Sequence, residues 1–262
     1  VFQVYQTYIL TSDEIDFMEA DANKPFCCFA SFYPPHPPYS VPENYEAMYA
    51  DQYPEDDQRR KYYAMCTAVD DAVGRLLASL DKQGVAEDTL VVFTTEHGHH
   101  FDHRWNDHSK RLCYDTSARI PMLMRFPGVI PTGQQSENLI CSVDLYQTMT
   151  GLLGLSAGEG LDGWDLSDQI RGKTDEGRAS LVMVNVPFID KSRGRPHQPA
   201  FEKGEERCVV QGDWKLILST VREPELYHLP SDPGERMNRW SGSKVSENVR
   251  RLKGELRLWG ET

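Results

Sequence analysis

The chain lacks any run of eighteen or more apolar residues, so no transmembrane helix is expected and no membrane partner is assigned. It is also short of positive charge. Its 28 Lys and Arg face 40 Asp and Glu in 262 residues, for a formal net charge of −12. Phosphate backbones call for a basic face, so this deficit excludes nucleic acid as the main partner. The opening residues, VFQVYQTYIL, have neither the basic start nor the small-residue cleavage site of a signal peptide; with no initiator Met, location stays open. Six cysteines are present but no CxxC pair and no disulfide-framework spacing, which makes most of them buried free thiols. There is no internal repeat. With 39% hydrophobic and 10% aromatic residues, the chain has enough apolar material for a proper core, as one large domain or a large one with a small appendage.

The stretch that organises the rest is TLVVFTTEHGHHFDHRWNDHSKRLCYDTSARIPMLMR, residues 89–125. Residues 90–95 are β-branched and apolar, and read as a buried strand of a parallel sheet. A loop follows in which five of the eight histidines (His97, His99, His100, His103, His108) fall within twelve residues, with Glu96, Asp102, Asp107 and Lys110. Residues 120–126 return to an apolar strand. In open α/β sheets ligands bind beyond the carboxyl ends of strands, and this loop lies at such an end.

Other elements read as follows. Residues 12–20 form an acidic amphipathic helix capped by Ser12, with Ile15 and Met18 inward. Residues 26–32, FCCFASF, form a buried strand running into YPPHPPY, where four prolines around His36 impose a stiff, extended backbone. A surface Pro-rich turn with an incidental His is the equal alternative there. Between residues 57 and 83 apolar positions recur at three and four, a helix closed by Gly84. With the strand at residue 90 it suggests a parallel strand–helix–strand unit. On it, Asp70 and Asp71 read as solvated or structural. Residues 142–153 form another helix and 181–186 another strand. Gly212-Asp213 joins two β-like runs in a hairpin, predicting a small antiparallel sheet near the C-terminus, and residues 248–259 form a basic final helix.

A carboxylate beside an imidazole, Glu96-His97, supplies two ligand types for a divalent metal, but two residues do not complete a site. HGHHFDH is similar to the HxHxDH pattern of metallo-β-lactamase-like hydrolases, with Asp102-His103 one residue late. The remaining option is that several of these histidines are solvated.

Several segments in order, SFYPPHPPY, VGRLLASLDKQG, DTLVVFTTEHG, CYDTSARIPMLMRFPGVI, SVDLYQTMTGLLGL, RCVVQGDWKLIL and EPELYHLPSDPGE, together resemble the central and C-terminal parts of a sulfatase of the alkaline-phosphatase superfamily. The resemblance implies an α/β fold with a mixed, mostly parallel sheet flanked by helices, divided into residues 1–200 and a C-terminal subdomain of residues 201–262. It implies a sulfuric ester hydrolase using a divalent metal, calcium first and magnesium or manganese as alternatives, held by Glu96 and His97. Glu96 stands where the family has Asp. By resemblance His36 and Lys110 bind the sulfate oxygens, His36 or His103 protonates the leaving oxygen, and Arg119 is structural. The family's formylglycine arises from Cys or Ser in a Cys/Ser-x-Pro-x-Arg motif beside two further metal-binding Asp residues. No cysteine here lies in that motif, so the nucleophile is expected on a missing N-terminal half or a companion chain, and the isolated chain is expected to be inactive. The expected partner is a sulfated small molecule or glycan. Rival readings are a phosphodiesterase or phosphonate monoester hydrolase of the same superfamily, and a non-catalytic homologue binding sulfated glycans.

Overall fold

The computed structural model describes residues 5–20, 24–101, 110, 112–185, 205–240 and 247–260. The chain divides into two compact units, Val1–Thr89 and Leu90–Thr262. In the first, helix α1 (Gln6–Ala20) begins six residues before the expected cap. Ser12 therefore sits inside the helix, its hydroxyl donating to the Tyr8 carbonyl at 2.9 Å as Thr11 donates to Thr7 at 2.6 Å. Met18 is buried and Phe17 is exposed. A short helix α2 (Glu43–Glu46) precedes α3 (Asp57–Gln83). Asp56 caps α3 by accepting the Arg59 N–H at 2.9 Å, and Gly84 closes it at φ 71°, a conformation that only glycine takes without cost. Ala64, Met65, Ala68, Ala72 and Leu80 form its buried stripe. Asp71 accepts the Tyr45 hydroxyl at 2.7 Å, a structural role.

Residues 26–32 do not form the expected strand. They alternate between half-buried and exposed, Phe29 at 86% exposure, and among the described residues of their own unit there is no strand to accept a ladder. Cys28 there bonds to Glu14 at 2.7 Å, and burial together with that carboxylate pushes its thiol up to about 12.

In the second unit β1 (Val91–Thr94) leads into a loop containing one helical turn, α4 (Asp115–Ala118), and returns as β2 (Met122–Arg125). The two strands pair antiparallel in the register Val91↔Arg125 to Thr94↔Met122. The expected strand–helix–strand unit pairs β1 with residues 26–32 across the helix at 57–83; residues 26–32 form no strand, and the strand beside β1 among the described residues is the antiparallel β2. Helices α5 (Leu145–Leu152) and α6 (Ser167–Ile170) follow, α5 being entered through a tight turn at Ser142–Asp144. Then β3 (Ser180–Asn185), β4 (Glu206–Gln211), β5 (Trp214–Ser219) and β6 (Glu225–His228) form an antiparallel sheet in that order, ending at helix α7 (Glu247–Gly260). The β4–β5 hairpin turns at Gly212-Asp213 as expected, with Gly212 at φ 54°.

This sheet has two unlike faces. Val209, Leu216 and Leu226 lie opposite one another in register and pack against Val249, Leu252 and Leu256 of α7. Each such side chain, buried, is worth about 1.5–3 kcal/mol. The other face carries Cys208, Val210, Lys215, Ile217, Glu225 and Tyr227, with Met183 of β3 in register with Cys208, and covers residues 112–114.

Candidate active site

Strand β1 delivers Thr95, Glu96 and His97 to its carboxyl end. The His97 Nδ1–H donates to the Gly98 carbonyl at 2.8 Å, and Nε2 lies 2.9 Å from Glu96 Oε1. Gly98 donates its N–H to the Ser117 carbonyl at 2.7 Å. A Cβ at Gly98 would stand 2.4 Å from the Thr116 carbonyl oxygen, so the loop approaches α4 too closely for any other residue without movement. His100, buried, bonds through Nδ1 to the Thr116 hydroxyl at 2.9 Å. The turn α4 therefore holds the loop that presents Glu96 and His97.

The sheet's polar face holds α4 in turn. Lys215 Nζ, fully buried, is 2.7 Å from both Asp115 Oδ1 and Glu235 Oε1, and Glu235 also accepts the Asp115 N–H at 2.7 Å. Cys113 donates its N–H to Glu206 at 3.3 Å, and the Tyr114 hydroxyl donates to Glu225 at 2.6 Å. Arg222 neutralises Glu206 and Glu225. Burial opposes the Lys215 charge, but Cys208, Asp115 and Glu235 outweigh it and hold its pKa above the ordinary value; burial raises that of Glu235, which Lys215 only partly offsets. Sequence reading missed this network. Its signal was a lysine between Trp214 and Leu216, in the same phase as Ile217, on a strand whose neighbours are apolar.

Glu96, His97 and Lys110 open on one cavity of about 490 Å³, whose remaining walls include Cys113 and, from β3, Met183 and Asn185. Among the described residues no carboxylate pairs with Lys110. His36 lies in the first unit. There its Nδ1–H donates to the Pro37 carbonyl at 2.6 Å, the Tyr33 hydroxyl donates to the same oxygen at 3.0 Å, and the two rings lie 4.6 Å apart. The Pro-rich segment thus holds the ring in one direction. His103, with Asp102, Asp107 and His108, lies outside the described residues. The histidines that are described do not converge: His97 turns to Glu96 and Gly98, His99 to Phe101 and His100 to Thr116. Among the described residues no group of three or more metal-ligating side chains is assembled, and Glu96 with His97 is a pair.

Solved structures share this architecture. A protein solved with its substrate D-glucosamine-2-N,6-O-disulfate superposes on 100% of the chain with a TM-score of 0.81 at 20% identity, and 70% of that protein is covered. The phosphonate monoester hydrolase of Agrobacterium radiobacter superposes on 97% of the chain with a TM-score of 0.78 at 23% identity, 60% of it being covered. The fold is the alkaline-phosphatase-like α/β fold, and the two sheets described within this chain are antiparallel portions of it. Residues 4–155 match the sulfatase family, and residues 101–260 match the family described as N-sulphoglucosamine sulphohydrolase, C-terminal. The ulvan-active sulfatase of Formosa agariphila is 31% identical over 241 residues, covering 84% of this chain and 47% of that protein. The chain belongs to the sulfatase family, and spans about half the length of this curated relative.

Proposed function

We propose that this chain forms the metal- and anion-handling part of a sulfuric ester hydrolase acting on a sulfated small molecule or glycan. One observation carries the reading: Glu96, His97 and Lys110 share a cavity. A sulfuryl group bears its charge on oxygens, so transfer needs cations and N–H donors around them and a proton for the leaving oxygen. Lys110 supplies an ammonium. With Nδ1–H held by the Gly98 carbonyl, the His97 ring presents Nε2 beside the Glu96 carboxylate. An imidazole nitrogen and a carboxylate oxygen side by side are two ligand types of a divalent metal, which supports reading them as a metal-binding pair. A divalent ion bound there, calcium or else magnesium or manganese, would draw negative charge off the ester. Glu96 is the hard oxygen donor that suits calcium, and its extra methylene, relative to the family Asp, lengthens the reach.

His36 keeps Nδ1 on Pro37, so its Nε2 is the atom left for a sulfate oxygen or a leaving oxygen. His103 is the second proton donor of the reading. No cysteine stands in a Cys/Ser-x-Pro-x-Arg motif, so the formylglycine is assigned to a segment beyond these 262 residues, which by themselves are expected to give no turnover. The sulfated sugar bound by the structural relative supports a glycan substrate.

The test uses the complete protein carrying this sequence, assayed on an aryl sulfate and an aryl phosphodiester with and without a chelator. Aryl sulfate turnover that the chelator abolishes and that Lys110→Ala lowers by about 10²–10³-fold is expected. The superposition on a phosphonate monoester hydrolase keeps one rival in view. Faster turnover of the phosphodiester would establish that rival, and unchanged rates in Lys110→Ala would remove the anion-binding role.

A further inference from the structure

On the sulfuric ester hydrolase reading, on which this inference rests, we propose that the cavity takes one pyranose ring of a sulfated sugar and that Asn185 reads a hydroxyl of that ring. The cavity has two unlike sides. Glu96, His97 and Lys110 carry its charge, while Leu112 and Met183 line it with hydrocarbon and Asn185 with a neutral amide. Its volume of about 490 Å³ lies within the range of small-molecule sites, about 300–1,000 Å³. A sulfated pyranose is divided in the same way, into an anion, a ring face of C–H groups and a rim of hydroxyls. With the sulfate at Lys110, the ring falls along Leu112 and Met183 and its rim meets Asn185.

Strand register puts Asn185 on the cavity side. Side chains alternate along β3: Val182 packs with the α7 face, and Met183 packs with the cluster that contains Cys113 and Tyr114. Asn185, two residues beyond Met183, shares its face. It is the last residue of β3 and stands opposite Glu206 of β4. Glu206 is buried and engaged, accepting the Cys113 N–H at 3.3 Å and paired with Arg222. That bond ties β4 to the segment that carries Leu112, and β3 is paired with β4 along its whole length, so the end of β3 is fixed beside the cavity. An Asn amide has two N–H donors and two acceptor lone pairs, enough to keep a protein contact and take a ligand hydroxyl as well. A hydroxyl both donates and accepts; Lys110 can only donate to it, whereas an amide satisfies either polarity.

The test uses the complete protein carrying this sequence, assayed on an aryl sulfate, on monosulfated hexopyranosides, and on single-deoxy analogues of the hexopyranoside turned over fastest. Removal of one particular hydroxyl should cost the wild type about 3–10-fold in kcat/KM, the scale of one neutral hydrogen bond. Asn185→Ala should raise KM for the parent sugar by a similar factor, more than it lowers kcat, and should no longer distinguish that deoxy analogue from the parent. An Asn185→Ala enzyme that still discriminates the analogue as the wild type does would overturn the role of Asn185. A wild type indifferent to every deoxy position would do the same without any variant, should Asn185→Ala fail to fold. Turnover of the aryl sulfate but of no sulfated hexopyranoside would overturn the sugar assignment and leave the hydrolase reading standing, and turnover of neither would remove both.

Discussion

Replacing Lys215 with Met would leave two carboxylates facing one another without their cation. Asp115 and Glu235 each lie 2.7 Å from Nζ, with Lys215 at 0% and Glu235 at 1% side-chain exposure, so water screens little of the interaction. Removing one partner of a buried ion pair costs about 3–5 kcal/mol, and Met keeps most of the lysine stem, so the cavity contribution is small. Asp115 is partly open to solvent, which places the expectation near 3–4 kcal/mol. With a urea slope of about 2 kcal/mol per molar, the unfolding midpoint should fall by about 1.5–2 M. The pH dependence gives a second reading. The folded Lys215 holds its proton more tightly than its ordinary 10.5, so its contribution is full below that pH and is lost as pH climbs through the native value. Glu235 also holds its proton more tightly when folded, through burial, so it favours folding below its ordinary 4.5 and this support is lost as pH rises. Without Lys215 that loss should grow, and Lys215→Met should weaken more than the wild type between acid and neutral pH. Adding Asp115→Asn and Glu235→Gln should restore most of the midpoint. A midpoint shift below about 0.5 M for Lys215→Met, the scale of a surface ion pair, would refute the reasoning.

Two further substitutions probe the scaffold of the site. Gly98→Ala drives a methyl against the Thr116 carbonyl, and overpacking of about 1–3 kcal/mol should lower Tm by several degrees in a thermal melt; an unchanged Tm would mean the loop relaxes freely. Asp144 is buried, and burial opposes its ionisation, but the Arg178 guanidinium and the Trp164 and Cys141 N–H groups prevail and depress its pKa below 3.8. Its contribution is therefore present above that pH and lost as pH falls through the native value. Asp144→Asn should cost about 2–4 kcal/mol at neutral pH by urea titration, with the gap to wild type closing toward pH 2. A gap independent of pH would argue against the ion pair.

Elements whose signal is local were legible in the residues. The 57–83 periodicity, the Gly84 stop and the Gly212-Asp213 hairpin each sit within a few residues of what they specify. Strand partnership was less legible, because it depends on neighbours remote in sequence: residues 26–32 have the composition of a strand with no strand among the described residues of their unit, and β1 found an antiparallel partner. At the site, the crowding of ionisable groups after β1 marked Glu96, His97 and Lys110, which share the cavity, while His36 was marked by the four prolines around it, with an incidental surface turn as the equal alternative, and its anion-binding role by resemblance. The Asp115–Lys215–Glu235 network escaped because its members are separated by 100 and 20 residues, and only tertiary contact brings them together.

The two faces of the C-terminal sheet should age differently under mutation. On the α7 side, Val209, Leu216 and Leu226 meet hydrocarbon, and single exchanges of similar volume are absorbed by neighbours that ask only for shape. On the side of residues 112–114, every charge is another residue's partner, so a change at one position creates a debt at two others. Drift there should proceed in linked steps: a homologue without Lys215 is expected to have surrendered Asp115 or Glu235 as well, while its α7 contacts wander one residue at a time.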